Sequence, residues 1–185
     1  RWLLAADDGI RGRELWVSDG TPGGTRLVQD IYPGPASANP ASWGPLGDRI
    51  LLVATDDVHG RELWATDGSP DGTMLLADIR PGASGSDPWT LGSTGGRLVF
   101  SADDGSRGRE LWVTDGTALG TALLVDIRPG SAGSDPSGLA WLGERYLFTA
   151  DDGPRGRELW ATDGTLAGTA LLEDLHVGEG AAAFY

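Results

Sequence analysis

The chain has 185 residues, with 27 Asp and Glu against 14 Lys and Arg, a net charge of −13 and no cysteine. Its length suits one packed domain, its acidity argues against nucleic acid and anionic lipid as partners, and the lack of thiols excludes a disulfide framework or a thiolate metal site. No run approaches the ~18 apolar residues of a membrane-spanning helix, so membrane insertion is not expected.

From the N-terminus, Asp7-Asp8-Gly9 interrupts the first apolar stretch and Glu14-Leu15-Trp16 resumes β-prone residues. Asp19-Gly20 breaks them again, and Gly24-Thr25, Asp30 and Pro33-Gly34 follow. The same order returns every 48 residues without insertion or deletion. Glu14, Glu62, Glu110 and Glu158 each open a Glu-Leu-Trp, and Asp19, Asp67, Asp115 and Asp163 each precede a glycine. Fixed-period self-similarity marks a repeat architecture. The chain therefore divides into copies over approximately 1–40, 41–88, 89–136 and 137–185 of a single repeat domain. The fourth copy carries Val177 where the others have Pro33, Pro81 and Pro129, the kind of departure a terminal unit shows.

Within the third copy, a weak strand near Pro88 to Thr94 turns at Gly95-Gly96 into an apolar run over Arg97 to Ala102. Asp103-Asp104-Gly105 separates that run from a strand over Glu110 to Thr114, Asp115-Gly116 gives a hairpin signal, and Thr121 to Ile127 reads as the last strand before Pro129-Gly130. No helical period competes. Leu98, Val99 and Phe100 are consecutive, as are Leu123, Leu124 and Val125, so both faces of each small sheet need cover. The expected fold is all-β, a β-propeller of four four-stranded antiparallel blades, with a linear stack or a segment of a larger propeller as the rival. Arg1 falls in register with Arg49, Arg97 and Arg145, so the first copy begins at its second strand. Ala181 to Tyr185 is the candidate to complete it.

Glu14-Leu15-Trp16 with Asp19-Gly20-Thr21 and Gly24-Thr25 resembles the bacterial ELWxxDGT repeat family. Three copies carry the whole signature, and the second has Ser69 in place of its threonine. The resemblance implies propeller-forming units of large secreted or surface-associated proteins, with no activity attached to the motif.

The motif positions Glu14, Trp16, Asp19, Glu62, Trp64, Asp67, Glu110, Trp112, Asp115, Glu158, Trp160 and Asp163 are read as structural. A fourfold glutamate offers no asymmetric constellation for acid–base chemistry, and four equivalent tryptophans suit packing between sheets. Trp43, Trp89 and Trp141 share no repeat position and are the candidates for a glycan-binding surface. Asp7, Asp8, Asp103, Asp104, Asp151 and Asp152 pair carboxylates beside a glycine, as hard cations prefer, and are the candidate Ca²⁺ ligands. Asx turns closed by Arg11, Arg107 or Arg155 are the competing reading. The second copy has Thr55-Asp56-Asp57-Val58 there. His59 and His176 occupy unrelated repeat positions, which leaves neither a histidine metal cluster nor a catalytic triad.

The expected function is a non-enzymatic extracellular or cell-surface module, structural or adhesive, engaging copies of itself or a surface partner and needing no cofactor. A lectin-like carbohydrate-binding propeller is the alternative.

Overall fold

Short apolar runs separated by Gly and Asp cannot sustain a helix, and they fold into strands. The computed structural model describes residues 1–175, and among these there is no α-helix. Sheet I contains β1 (Trp2–Asp7), β2 (Arg13–Ser18) and β3 (Arg26–Gln29). Sheet II contains β4 (Ala41–Leu46), β5 (Arg49–Asp56), β6 (Gly60–Thr66) and β7 (Met74–Ala77). Sheet III is formed by β8 (Trp89–Thr94), β9 (Arg97–Asp103), β10 (Arg109–Thr114) and β11 (Ala122–Val125), and sheet IV by β12 (Ser137–Leu142), β13 (Arg145–Asp151), β14 (Arg157–Thr162) and β15 (Ala170–Glu173). Every pairing is an antiparallel meander, as the all-β reading expected. Val177, His176 and Ala181 to Tyr185 lie outside the described residues.

The chain divides into two compact units, Arg1–Asp87 with sheets I and II and Pro88–Tyr185 with sheets III and IV. In the first, Leu15, Val17, Val28 and Ile31 of the leading repeat bury against Leu52, Ala54 and Trp64 of the next. In the second, Leu111, Val113, Leu124 and Ile127 bury against Tyr146, Phe148 and Ala150. Both cores thus use the same repeat positions.

Two β-bulges recur and explain why the strands do not alternate cleanly. One lies between the last two strands and makes Val28, Leu76 and Leu124 the extra residues, all buried. The other lies between the first two strands of sheets II, III and IV, where Trp43, Leu91 and Leu139 are extra. A bulge re-aims side chains while the ladder continues. This is how a strand only a few residues long supplies apolar groups to its core.

The Asp-Gly pairs open hairpins, as the sequence expected, with Gly20, Gly68, Gly116 and Gly164 at positive φ. Each loop is longer than two residues, running over Asp19 to Thr25 in the first repeat. Asp19 Oδ1 accepts from Thr21 N and Oγ1 at 3.0 and 2.7 Å, and Thr21 Oγ1 accepts from Gly24 N at 3.0 Å. Gly24 is required here, since a Cβ would fall 1.8 Å from Asp19 Oδ1.

Candidate functional site

The Glu-Leu-Trp glutamates are built into the interior. Strand alternation turns each side chain inward, and Glu14, Glu62, Glu110 and Glu158 are all buried. Glu14 accepts hydrogen bonds from the backbone N–H of Ile31 at 2.7 Å and of Ala38 at 2.9 Å. Glu62 accepts from Arg80 N and Ser86 N, both at 2.9 Å, and from Ser86 Oγ at 2.6 Å. Glu110 accepts from Ile127 N at 2.9 Å, Arg128 N at 3.3 Å and Ser134 Oγ at 2.6 Å. Glu158 takes Leu175 N at 2.8 Å. Each carboxylate therefore ties the penultimate strand of its sheet to the segment that leads onward. Burial pushes Glu14, Glu62 and Glu110 above the usual carboxylate range, and the hydrogen bonds they accept oppose the rise. Their lone pairs are committed to the chain itself, a structural arrangement.

Trp64 is buried, while Trp16, Trp112 and Trp160 are half-buried. Phe100 and Phe148, directly opposite in the strand register, lie 6.5 Å from the rings of Trp112 and Trp160. The four indole Nε1 atoms are buried with no partner among the described residues. These rings act through apolar surface. The loop carboxylates Asp19, Asp67, Asp115 and Asp163 are held below the usual range by the side-chain hydroxyl and N–H of Thr21, Ser69, Thr117 and Thr165.

The candidate Ca²⁺ ligands close their own loops. Asp7 Oδ1, Asp103 Oδ1 and Asp151 Oδ1 each accept the glycine N–H two residues on, at 2.7 Å. Asp8, Asp104 and Asp152 accept the N–H of Arg11, Arg107 and Arg155 and pair with the same guanidinium groups. Burial works to raise Asp104, and the hydrogen bonds from Arg107 and Ser106 outweigh it, leaving the carboxyl at about 2. Each arginine also lies near a second carboxylate, 3.9 Å from Asp30, 3.7 Å from Asp126 and 3.6 Å from Asp174. No three His, Cys, Asp or Glu side chains converge among the described residues.

Sequence reasoning separated His59 from this motif, yet it occupies the arginine position of the second repeat. Its Nδ1 lies 2.7 Å from Asp56 Oδ2. The 48-residue register carries that signal: Asp56 aligns with Asp8 and His59 with Arg11.

Trp43 belongs to the first unit, and Trp89 and Trp141 to the second. Trp43 is the half-buried extra residue of the β4 bulge. Trp89 opens β8 with 71% of its surface exposed. Trp141, 42% exposed, meets Tyr146 edge-on at 5.1 Å. Trp141 lines a recess of about 580 Å³ shared with Ser93, Glu144, Asp163 and Thr165.

Compared with known proteins, the chain matches no family model and no curated sequence.

Proposed function

We propose that the chain is a non-enzymatic structural or adhesive module of the extracellular or bacterial cell-surface space, its sheets succeeding one another as propeller blades or stacked layers. Copies extend that succession end to end. The observation that carries this reading is the exposure, on the first and last sheets in chain order, of side chains that the other repeats bury wholly or in part. Leu172 of β15 is 42% exposed, whereas Val28, Leu76 and Leu124 at the same bulge position are buried. Trp2 of β1 is 79% exposed, whereas of its counterparts Leu98 and Tyr146 are buried and Ile50 is half-buried. A contact that repeats an internal one is heterologous, and it yields rings where the rotation closes and filaments where it does not.

The resemblance to ELWxxDGT repeats supports the surface location, and the commitment of Glu14, Glu62 and Glu110 to donors of the chain itself supports a non-catalytic role. Sedimentation velocity over a range of concentrations tests the assembly. Reversible oligomers that Leu172→Asp abolishes are expected, and a monomer throughout would end this reading. Turnover of a hydrolase substrate, removed by one carboxylate substitution, would overturn the non-enzymatic part.

The recess beside Trp141 favours a second reading, a lectin-like carbohydrate binder. An aromatic face beside carboxylate and hydroxyl acceptors suits a sugar ring. Glycan-array binding lost in Trp141→Ala would support it, and an array without signal would remove it.

A further inference from the structure

Proline follows Asn39, Asp87 and Asp135, and each of these three residues has φ +47°. They are the non-glycine residues at positive φ among the described residues. Few side chains tolerate that region, and the ring of a following proline restricts the preceding residue further, toward extended backbone. Such a conformation persists only where its surroundings over-determine it.

At Asp135 both neighbours are fixed. Ser134 is buried, donates its hydroxyl to Glu110 at 2.6 Å, and its carbonyl accepts from Asp151 N at 2.9 Å. Pro136 is buried on the other side, and Asp135 N donates to Arg109 O at 3.1 Å. The Asp135 carbonyl oxygen accepts from Arg157 Nη1 at 2.9 Å, a nitrogen that also donates to Thr149 Oγ1 at 3.1 Å. The side chain of Asp135 is exposed, and its carboxylate has no hydrogen bond or ion pair among the described residues. A strained backbone, a carbonyl held by a guanidinium and an uncommitted carboxylate meet at one peptide bond.

We propose that the Asp135-Pro136 bond is a self-processing site, cut by the carboxylate of Asp135. One Oδ adds to the residue's own carbonyl carbon and closes a five-membered ring, a proximity that the covalent chain supplies in advance. Arg157 stabilises the negative charge that develops on the carbonyl oxygen. The C–N bond then breaks, and Pro136 leaves as a secondary amine whose nitrogen takes a proton from solvent. Water opens the cyclic anhydride, so one water is consumed and Asp135 ends with a free α-carboxylate beside its side-chain carboxylate. Cleavage also releases Asp135 from φ +47°, a relief that an Asp-Pro bond in an unfolded chain does not offer. The cut happens once per chain and uses neither the end-to-end contact nor the recess beside Trp141.

The other two repeats supply internal comparisons. Asp87-Pro88 has the same backbone and the same nucleophile, but Asp87 Oδ1 lies 3.3 Å from Arg61 Nε. That ion pair draws the carboxylate away from its own carbonyl, so the second cut is slower. Asn39-Pro40 has the same φ, and Arg61 Nη1 donates to Asn39 O at 3.4 Å. A carboxamide cannot form the anhydride, so this bond stays whole.

The test incubates the full chain in a mildly acidic buffer in which it stays folded, and in parallel in concentrated urea, and reads intact masses after denaturation. Fragments 1–135 and 136–185 are expected, forming at least about tenfold faster in the folded chain than in urea. They stay together until denatured, since Leu111, Leu124 and Ile127 remain packed with Phe148 and Ala150. Hydroxylamine present during the incubation captures the anhydride as a hydroxamate at Asp135. Asp135→Asn keeps a residue type that φ +47° accommodates at Asn39, and it leaves the bond whole. Arg157→Met slows the cut several-fold, and Asn39→Asp introduces a new one before Pro40. An intact folded chain would overturn the proposal. So would a rate in urea that equals the folded one, or cutting of Asp135→Asn at the parent rate.

Discussion

The two units place the same repeat positions around their cores and finish them differently. In Pro88–Tyr185 the core is closed by Leu91, and Tyr146 is wedged against two glycines: a Cβ on Gly92 would fall 2.8 Å from its ring and one on Gly138 2.3 Å from its hydroxyl. Arg128, in the segment between sheets III and IV, pairs with Asp151 of β13 at 2.7 Å. In Arg1–Asp87 the counterpart of Tyr146 is Ile50 and that of Gly138 is Ser42, while Tyr32 packs on the core where Arg128 forms its ion pair. Among the described residues of the first unit none stands in the place of Leu91, and Leu3, Leu15, Pro40, Ser42 and Leu52 line a slot of about 180 Å³ there. The glutamate anchor is common to both units while the closing residues vary, which separates what the repeat requires from what each interface improvises.

The anchor sets the largest expected effect. Glu110→Ala strands the Ile127 and Arg128 N–H groups and the Ser134 hydroxyl in the interior, at a cost of about 3 to 5 kcal/mol. Glu14→Ala costs a comparable amount by stranding Ile31 N and Ala38 N. Glu158→Ala, with one described bond, costs less. Urea denaturation of the three variants measures the order, and a mild Glu110 variant would break the view that both units share one staple.

Leu91→Ala makes the second unit resemble the first. Removing a buried leucine from a packed core costs about 2 to 4 kcal/mol, depending on how far the site collapses. Leu3→Ala, at the half-buried counterpart of Val99, costs about 1 kcal/mol by the same reasoning. Equal losses would mean that the slot is already filled in solution.

The Tyr146 wedge gives a smaller effect. Gly138→Ser installs the residue that the first unit tolerates at this position, and its Cβ meets the Tyr146 hydroxyl, for about 1 to 3 kcal/mol of strain. Adding Tyr146→Ile recreates the Ser42 and Ile50 pairing and recovers most of the loss. A double-mutant cycle with no coupling would show that the two positions do not meet.

Much of the fold was legible because it is written four times. Asp103-Asp104-Gly105 and Gly95-Gly96 mark strand ends that the structure places within a residue or two, and the run Leu98 to Phe100 reports cover on both faces. The Asp115-Gly116 hairpin was legible but the length of its loop was not, because the determinant lies further along the chain: Thr117 and Gly120 complete a loop in which Asp115 is an acceptor, and a dipeptide signal does not contain them. The role of Glu110 was open to sequence reasoning only as a preference for anchoring, since its donors lie 17 to 24 residues away. The slot was invisible, because it exists only where side chains of two sheets meet. His59 was missed by treating the histidines as a pair and not as departures from Arg11 and its equivalents.

His59 carries the smallest expected effect, and it distinguishes one repeat from the other three. Asp56, 2.7 Å away, is the main cause of its raised pKa, and Asp78 and Glu62 add to it. Asp56 is lowered in return, its contact with His59 outweighing burial. A histidine that binds its proton more tightly when folded contributes stability that is full below its unfolded value near 6.5 and is lost as pH rises through the higher folded value. A lowered aspartate contributes stability above its unfolded value of 3.8 that is lost as pH falls through the folded one. The second repeat's clamp is therefore strongest in the acidic range between these limits. The clamps of Arg11, Arg107 and Arg155 have no alkaline limit, since guanidinium stays charged. His59→Arg is expected to leave stability near pH 6 unchanged and to gain a few tenths to about 1 kcal/mol near pH 9, the scale of a partly exposed ion pair. Melting temperatures of both chains between pH 6 and pH 9 measure it. Parallel curves would show that the histidine clamp holds nothing that the arginine clamps do not.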